Sequence, residues 1–368
     1  MITKIELDNF KCFDKLEFSL KNVNVLTGIN GMGKSTVIQA LLLLRQSYQA
    51  DGFIRGLHVN GKYAELGTSG DILYEKAETE EVGIEYEIDK NVRYKFQFTH
   101  VMSSDLMPLK YSSIAAGEIT EGDSLLGDGF VYLSAYRIKP QEIYRIINED
   151  EIAKREFGNN GEYAIQYLNL YGDMELENEN VILEGKEKNS LLEQTRLWLD
   201  RIAPGVSPQT LLNLPLRTSE LRYEFIEGKT KTNSYRSVNV GFGITYALPL
   251  IVAILSARKG DILLLENPEA HIHPSGQRML GELIALAGNG GVQLLVETHS
   301  DHILNGIRIA VKRHEIDRND VKLAFFYKDE KDDYRHKYVE PQILEDGRLD
   351  MWPEGFFDEW DKALYDLM

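Results

Sequence analysis

"GINGMGKS", residues 28–35, decides how this chain is read. The stretch satisfies G-x-x-x-x-G-K-[ST], a spacing with a physical cause. Glycines let the backbone curl until successive N–H groups face one anion, and no Cβ blocks the approach. Lys34 then reaches the β- and γ-phosphates of a nucleotide, and the Ser35 hydroxyl is placed to ligate Mg2+. The flanks suit such a loop: "NVNVLTG" is a short apolar strand stopped by glycine, and "KSTVIQALLLLRQSYQ" (34–49) has helical patterning. The helix that opens there adds the positive end of its dipole. An ordinary glycine-rich turn is the plain alternative, and the flanking strand and helix count against it.

Outward from the loop, the pattern divides. Residues 1–27 alternate as strands in "ITKIELDNF" and "KLEFSL". Between 51 and 130, glycine-rich turns separate "VGIEYEID" from "VRYKFQFTH", which predicts an antiparallel sheet, and "FVYLSAYR" (130–137) predicts one more strand. Residues 141–203 read as charged helical stretches, and strand patterning returns at 220–227. An alternating series follows: a helix from Gly243, a strand at 261–266, a helix near 275–288, a strand at 292–297, a helix from Asp301 to about Arg313, and a strand at 321–328. Such alternation predicts a parallel sheet covered on both faces. Within it, "ILLLENPEAHIHP" (262–274) is an apolar run that delivers Glu266, Asn267 and Glu269 to the end of a buried strand.

The 368 residues are 43% apolar and 27% charged, enough for a sizeable core. A single cysteine, Cys12, excludes an internal disulfide framework and a Cys-rich zinc site, and suits a cytoplasmic location. No signal peptide and no membrane helix is expected; the longest apolar candidate, "ITYALPLIVAILSA" (244–257), is too short to span a bilayer. A formal net charge of −17 rules out nucleic-acid binding by bulk attraction, so DNA contact would need a local basic patch. The candidates are 136–145, 216–236 and 307–318, each of which also reads as a solvated face.

"IELDNFKCFDKLEFSLKNVNVLTGINGMGKST" (5–36) resembles the opening of the ABC-type ATPase heads of the SMC, RecF and OLD-like group, and the resemblance is densest at 1–50 and 236–305. It implies an α/β P-loop NTPase fold of the ABC type: a mixed β-sheet lobe, a parallel α/β lobe and a small helical insertion. On this reading 1–368 is a single head. Its parts are an N-terminal lobe with the phosphate loop (1–140), a helical insertion (141–205), a lobe with signature, second motif and switch histidine (206–340), and a C-terminal helical tail (341–368). "YLSAYRIKP" (132–140) resembles a segment of an OLD-like subfamily in which Arg137 is either a nucleotide or partner contact or a surface arginine. "WPEGFFDEWDKAL" (352–364) resembles that subfamily's C-terminal signature, and its aromatics fit an amphipathic helix.

The resemblance also implies roles. Asn30, Gly31, Gly33, Lys34, Ser35 and Thr36 would hold ATP, and Ser35 and Glu266 would hold Mg2+. The group's second motif ends Asp-Glu-Pro, which puts Glu266 at the metal position and Asn267 at the water-activating position. An amide orients water but does not usefully accept its proton. Either Glu269 serves as base, or hydrolysis is slow and the chain acts as an ATP-gated clamp. "VQLLVETHSDHIL" (292–304) looks like the switch segment, with His299 reporting the γ-phosphate. "SVNVGFGITYALPLI" (237–251) stands at the signature position, so Asn239, Gly241 and Gly243 would cap ATP across a head-to-head homodimer. A separate effector, a nuclease in DNA repair or phage defence, is implied as partner, with DNA contact indirect and no membrane. Three alternatives stay open: a scaffold with little turnover, a transporter ATPase subunit, and a metallohydrolase built on His271, His273, His299 and His302.

Overall fold

Register explains the first sheet. In the computed structural model, Phe13–Ser19, Ile2–Phe10, Glu81–Ile88, Val92–Thr99, Leu106–Ser112 and Gly56–His58 lie side by side in that order, each antiparallel to its neighbour. Phe18, Ile5, Tyr86 and Tyr94 are aligned across four of these strands, as are Leu16, Leu7, Ile84 and Phe96. All eight are buried. With a side-chain period of two, alignment of apolar positions puts them on one face and fixes the register.

The structure describes residues 1–89, 92–114, 122–184, 189–228 and 230–368. Residues 90–91 and 115–121 of the expected antiparallel segment, 185–188 of the expected insertion, and Lys229 of the basic stretch 216–236 lie outside the described residues, as does the side chain of Trp360.

The chain forms two units. The first comprises Met1–Phe130, Lys322–Gln342 and Met351–Met368. Besides the six-stranded sheet it holds the strand Val23–Gly28, buried along its whole length, and the helix Lys34–Asp51, whose Val37, Ile38 and Ala40–Leu44 are all buried. A helix apolar around its whole circumference belongs inside a core. Val23–Gly28 lies beside Val321–Asp329, which turns back as a hairpin with Arg335–Val339. The C-terminal aromatics differ from expectation. Trp352, Phe356 and Phe357 precede the helix Glu359–Leu367 instead of lining it, and buried Phe356 packs edge-on against Phe325, ring centroids 5.5 Å apart. Pro353 and Gly355 in this stretch favour turns over helix.

The second unit comprises Val131–Val321 and Ile343–Asp350. Ile262–Glu266 and Gln293–Glu297 pair in parallel, with Glu266 opposite Glu297, and Phe130–Leu133 flanks the former. The sheet's helices are Phe242–Leu255, Pro274–Asn289 and Asp301–Lys312. The last two cross on glycine. A Cβ on Gly281 would lie 2.2 Å from Ile303 O, and one on Gly306 would lie 2.2 Å from Arg278 O. A second antiparallel group is built on Val206–Asn213 and Thr218–Glu227.

Two expectations are corrected here. The strand read as 130–137 ends at Leu133, because Ala135 N–H turns to the Glu266 carboxylate and the Arg137 guanidinium donates to Ser134 O. Among the described residues the stretch 141–203 carries three α-helices, Glu149–Ala153, Ala164–Tyr171 and Leu191–Ile202, of five, eight and twelve residues, with loops and turns between them.

Candidate functional site

The glycine loop of the first unit has the backbone its sequence demands. Gly28, Gly31 and Gly33 have φ of 140°, 79° and 101°, values a side chain rarely tolerates. Gly28 is also pinned sterically, since a Cβ there would lie 2.3 Å from Phe326 O. Gly33 would meet Phe13 and Cys12, whereas Gly31 faces open space. Asn30 and Gly31 are exposed, Ser35 is half-buried, and Thr36 is buried with its hydroxyl 3.5 Å from Cys12 Sγ. Lys34 is buried and folds back, its ammonium donating to Gly28 O at 2.8 Å and Ile29 O at 3.0 Å. His336 of the hairpin completes the surround, with Nε2 3.3 Å from Gly31 O and its ring edge-on to Phe13. Burial holds the His336 imidazole below its ordinary pKa. Sequence reasoning did not single out His336, and nothing local to "YRHKYV" would have done so.

The second unit gathers Glu266, Asn267, Glu269 and His299 at the carboxyl ends of its two parallel strands. Glu266 Oε2 accepts from Ala135 N–H at 3.2 Å, and the Tyr132 hydroxyl also hydrogen-bonds the carboxylate. Burial pushes the Glu266 pKa up, opposed by these two donors and by Arg137. Such a carboxylate gains by meeting a cation. Asn267 has φ 42°, in the left-handed region, and its N–H donates to Glu297 O at 2.8 Å. Asparagine tolerates that conformation better than most residues, which gives the amide at this position a backbone reason. Glu269 ties the turns together: Oε2 accepts from the Thr298 hydroxyl at 2.7 Å and Oε1 from His299 N–H at 2.8 Å.

This geometry separates two roles for Glu269. A glutamine there keeps an acceptor for His299 N–H and can donate to the Thr298 hydroxyl; an alanine keeps neither. A brace predicts that Glu269→Ala loses about 1–3 kcal/mol of stability and most turnover, while Glu269→Gln loses little of either. Denaturant titration and steady-state turnover on both variants check this. Equal loss of turnover in the two would make the carboxylate a proton acceptor instead.

The signature positions divide. Asn239 and Gly241 are exposed just ahead of the helix Phe242–Leu255, and a Cβ on Gly241 would meet nothing. Gly243 is used for packing: a Cβ there would lie 2.2 Å from His271 O. The histidines proposed as a metal set do other things. His271 packs edge-on to Tyr246 at 4.7 Å, and His273 caps the helix Pro274–Asn289 by accepting from Ser275 N–H at 3.3 Å. Among the described residues no group of three or more His, Cys, Asp or Glu could hold a metal. Magnesium does not need one, because it keeps several waters and binds through one or two protein oxygens plus substrate phosphates. Two further groups were missed by sequence reasoning. Glu297 ends "VQLLVE" as Glu266 ends "DILLLE", a signal present in the sequence; Tyr132 carried none.

With this geometry in view, comparison with known proteins gives the class. The family model described as "AAA ATPase domain" matches residues 1–197, more than half of the 368, and the chain belongs to that family. A model described as "AAA domain, putative AbiEii toxin, Type IV TA system" matches residues 144–305, and one described as "Protein of unknown function (DUF3696)" matches 316–367. No curated protein matches the chain. Among solved structures, an SMC head bound to the C-terminal winged-helix domain of ScpA is similar over 94% of this chain and 98% of its own, at 17% identity and a TM-score of 0.53. The Pyrococcus furiosus SMC head with an extended coiled coil, bound to the C-terminal domain of ScpA, is similar over 100% and 99%, at 14% identity and a TM-score of 0.51. The shared fold is that of an SMC-like ABC-type ATPase head. Among the described residues no helix is long and apolar enough to cross a membrane.

Proposed function

We propose that this chain is a slow, magnesium-dependent ATPase whose nucleotide state sets a head-to-head homodimer and, through it, a separate effector. The observation that carries the reading is the loop of residues 28–36: three glycines at positive φ, a buried lysine and two hydroxyls in a member of the AAA ATPase domain family. Gly31 and Gly33 open the backbone to the phosphates, Lys34 and the first N–H groups of its helix supply charge, and Ser35 and Glu266 are the oxygens assigned to magnesium. When bound, that ion neutralises charge on the phosphate oxygens. Asn267 orients water, Glu269 positions His299 or accepts a proton, and Asn239 and Gly241 cap the nucleotide of the opposite copy, while Gly243 lets their helix pack against His271 O.

The effector we infer is a nuclease acting in DNA repair or phage defence, with DNA contact indirect. Both similar SMC heads were solved with a domain of a second protein, which supports a protein partner here. A scaffold with little turnover is the second reading, favoured by Asn267 at the water-activating position and by the engagement of both Glu269 oxygens. Sedimentation with saturating MgATP, MgADP or no nucleotide, alongside turnover, tests both. An ATP-specific dimer with slow turnover is expected. A monomer in every condition would end the dimer reading, and a dimer without turnover would leave the scaffold.

A further inference from the structure

The helices Pro274–Asn289 and Asp301–Lys312 of the second unit both end beside one cavity of about 480 Å³, a volume ordinary for a small-molecule site. Val311 and Ile316, 3% and 2% exposed, give it an apolar floor, and His314, Arg318 and Glu345 stand in its rim. The second helix closes with two reversed hydrogen bonds, Glu315 N–H to Ala310 O and His314 N–H to Val311 O, each 3.0 Å, and His314 takes φ 58°. Glycine is the usual residue at that point of such a closure. Histidine accepts the left-handed backbone at a cost, and what the cost retains is an imidazole in the cavity wall. Among the described residues the side chains of His314, Arg318 and Glu345 make no hydrogen bond or ion pair, whereas the Asp317 carboxylate beside them accepts from Asn319 N–H at 2.7 Å. Single free charges are ordinary at a surface; here two of opposite sign share one concavity with an apolar floor. The 12 residues of Asp301–Lys312, about 18 Å of helix, separate it from the His299 turn, so it is no part of the site already described.

We propose that this cavity binds a small aliphatic zwitterion, a free amino acid or a dipeptide, with its carboxylate on Arg318 and its ammonium on Glu345. The planar fork of a guanidinium matches a carboxylate. The negative end of the helix Asp301–Lys312 adds to Glu345 in favouring an ammonium group. An aliphatic body resting on Val311 and Ile316 takes apolar surface out of water on both partners. A nucleotide or free phosphate would bring two or more negative charges to one guanidinium, with the carboxylates of Asp317 and Glu345 in the same wall. A bare cation would meet Arg318. A ligand carrying one charge of each sign is matched by both.

Saturation-transfer NMR and calorimetry on the full chain at neutral pH test this, with L-leucine, L-leucyl-L-leucine, and the N-acetyl and C-amide forms of each as probes. Nucleotide is left out of every arm, so the outcome does not depend on the ATPase reading. At least one zwitterion is expected to bind, and the tighter of the two tells the free amino acid from the dipeptide. Removing either of its charges is expected to weaken binding about 10–100-fold. Arg318→Gln is expected to weaken the zwitterion by a similar factor and to leave the C-amide form unchanged. Glu345→Gln is expected to weaken the zwitterion likewise and to leave the N-acetyl form unchanged. Both side chains are exposed, so the fold does not rest on them, and thermal melting checks that it persists. If a variant does not fold, the probe series on the parent decides by itself. No binding of either zwitterion at about 10 mM overturns the proposal. So does binding that both variants leave at the parental level, or a singly charged form that binds as tightly as its zwitterion.

Discussion

Lys34→Ala is expected to lower ATP turnover by about 10²–10³-fold and to weaken nucleotide binding at least about tenfold. The lysine has two tasks on the proposed reading. Its ammonium supplies charge to the phosphates, and in the structure it donates to Gly28 O and Ile29 O. Alanine removes the charge and leaves two carbonyls of the loop without that donor, so the cradle loosens as its attraction for phosphate falls. Both losses act in the same direction. Equilibrium binding of MgATP and steady-state turnover measure them separately, with thermal melting as the control that the fold persists. Parental binding and turnover in this variant would remove the loop from the mechanism.

Asp261→Ala is expected to cost about 3–5 kcal/mol of stability, the largest single effect away from the nucleotide loop. Asp261 and Arg155 are 8% and 7% exposed. Their pairing is bidentate, with Arg155 Nη2 3.0 Å from Oδ1 and Nη1 on Oδ2, and Nη1 also donates to Ser256 O at 3.1 Å. The same carboxylate accepts from Arg258 N–H at 2.5 Å. Alanine would strand a buried guanidinium, the arrangement that makes breaking an internal ion pair so costly. Urea unfolding of parent and variant measures the difference, and a loss below about 1 kcal/mol would show that water reaches Arg155.

Local chemistry was legible in the sequence and close packing was not. The loop of residues 28–35 could be read because each residue's task follows from its own type, and the structure gives its three glycines the backbone they were chosen for. The parallel strands ending at Glu266 and Glu297 could be read from apolar runs, although the second carboxylate was passed over. Gly243 shows the limit. Its sequence context suggests approach to phosphate, whereas the structure uses the missing side chain against His271 O. That contact depends on a partner 28 residues away, which no local pattern encodes. Asn267 is similar: its amide looks like a lost base until its left-handed backbone is seen. Arg137 could be read as a surface residue because nothing in "YRIKP" announces burial.

The seat of the nucleotide loop has a temporal consequence. Gly28 rests against Phe326 O, and Gly31 O meets the His336 imidazole, so both supports come from residues about three hundred positions further along the chain. On the ribosome, a growing polypeptide would carry its glycine motif early and its cradle late. Such a chain could not present a finished pocket until translation had passed the hairpin Arg335–Val339. Nucleotide capture would then mark passage of the hairpin, and cleavage that frees the hairpin would be felt first at the loop of residues 28–35.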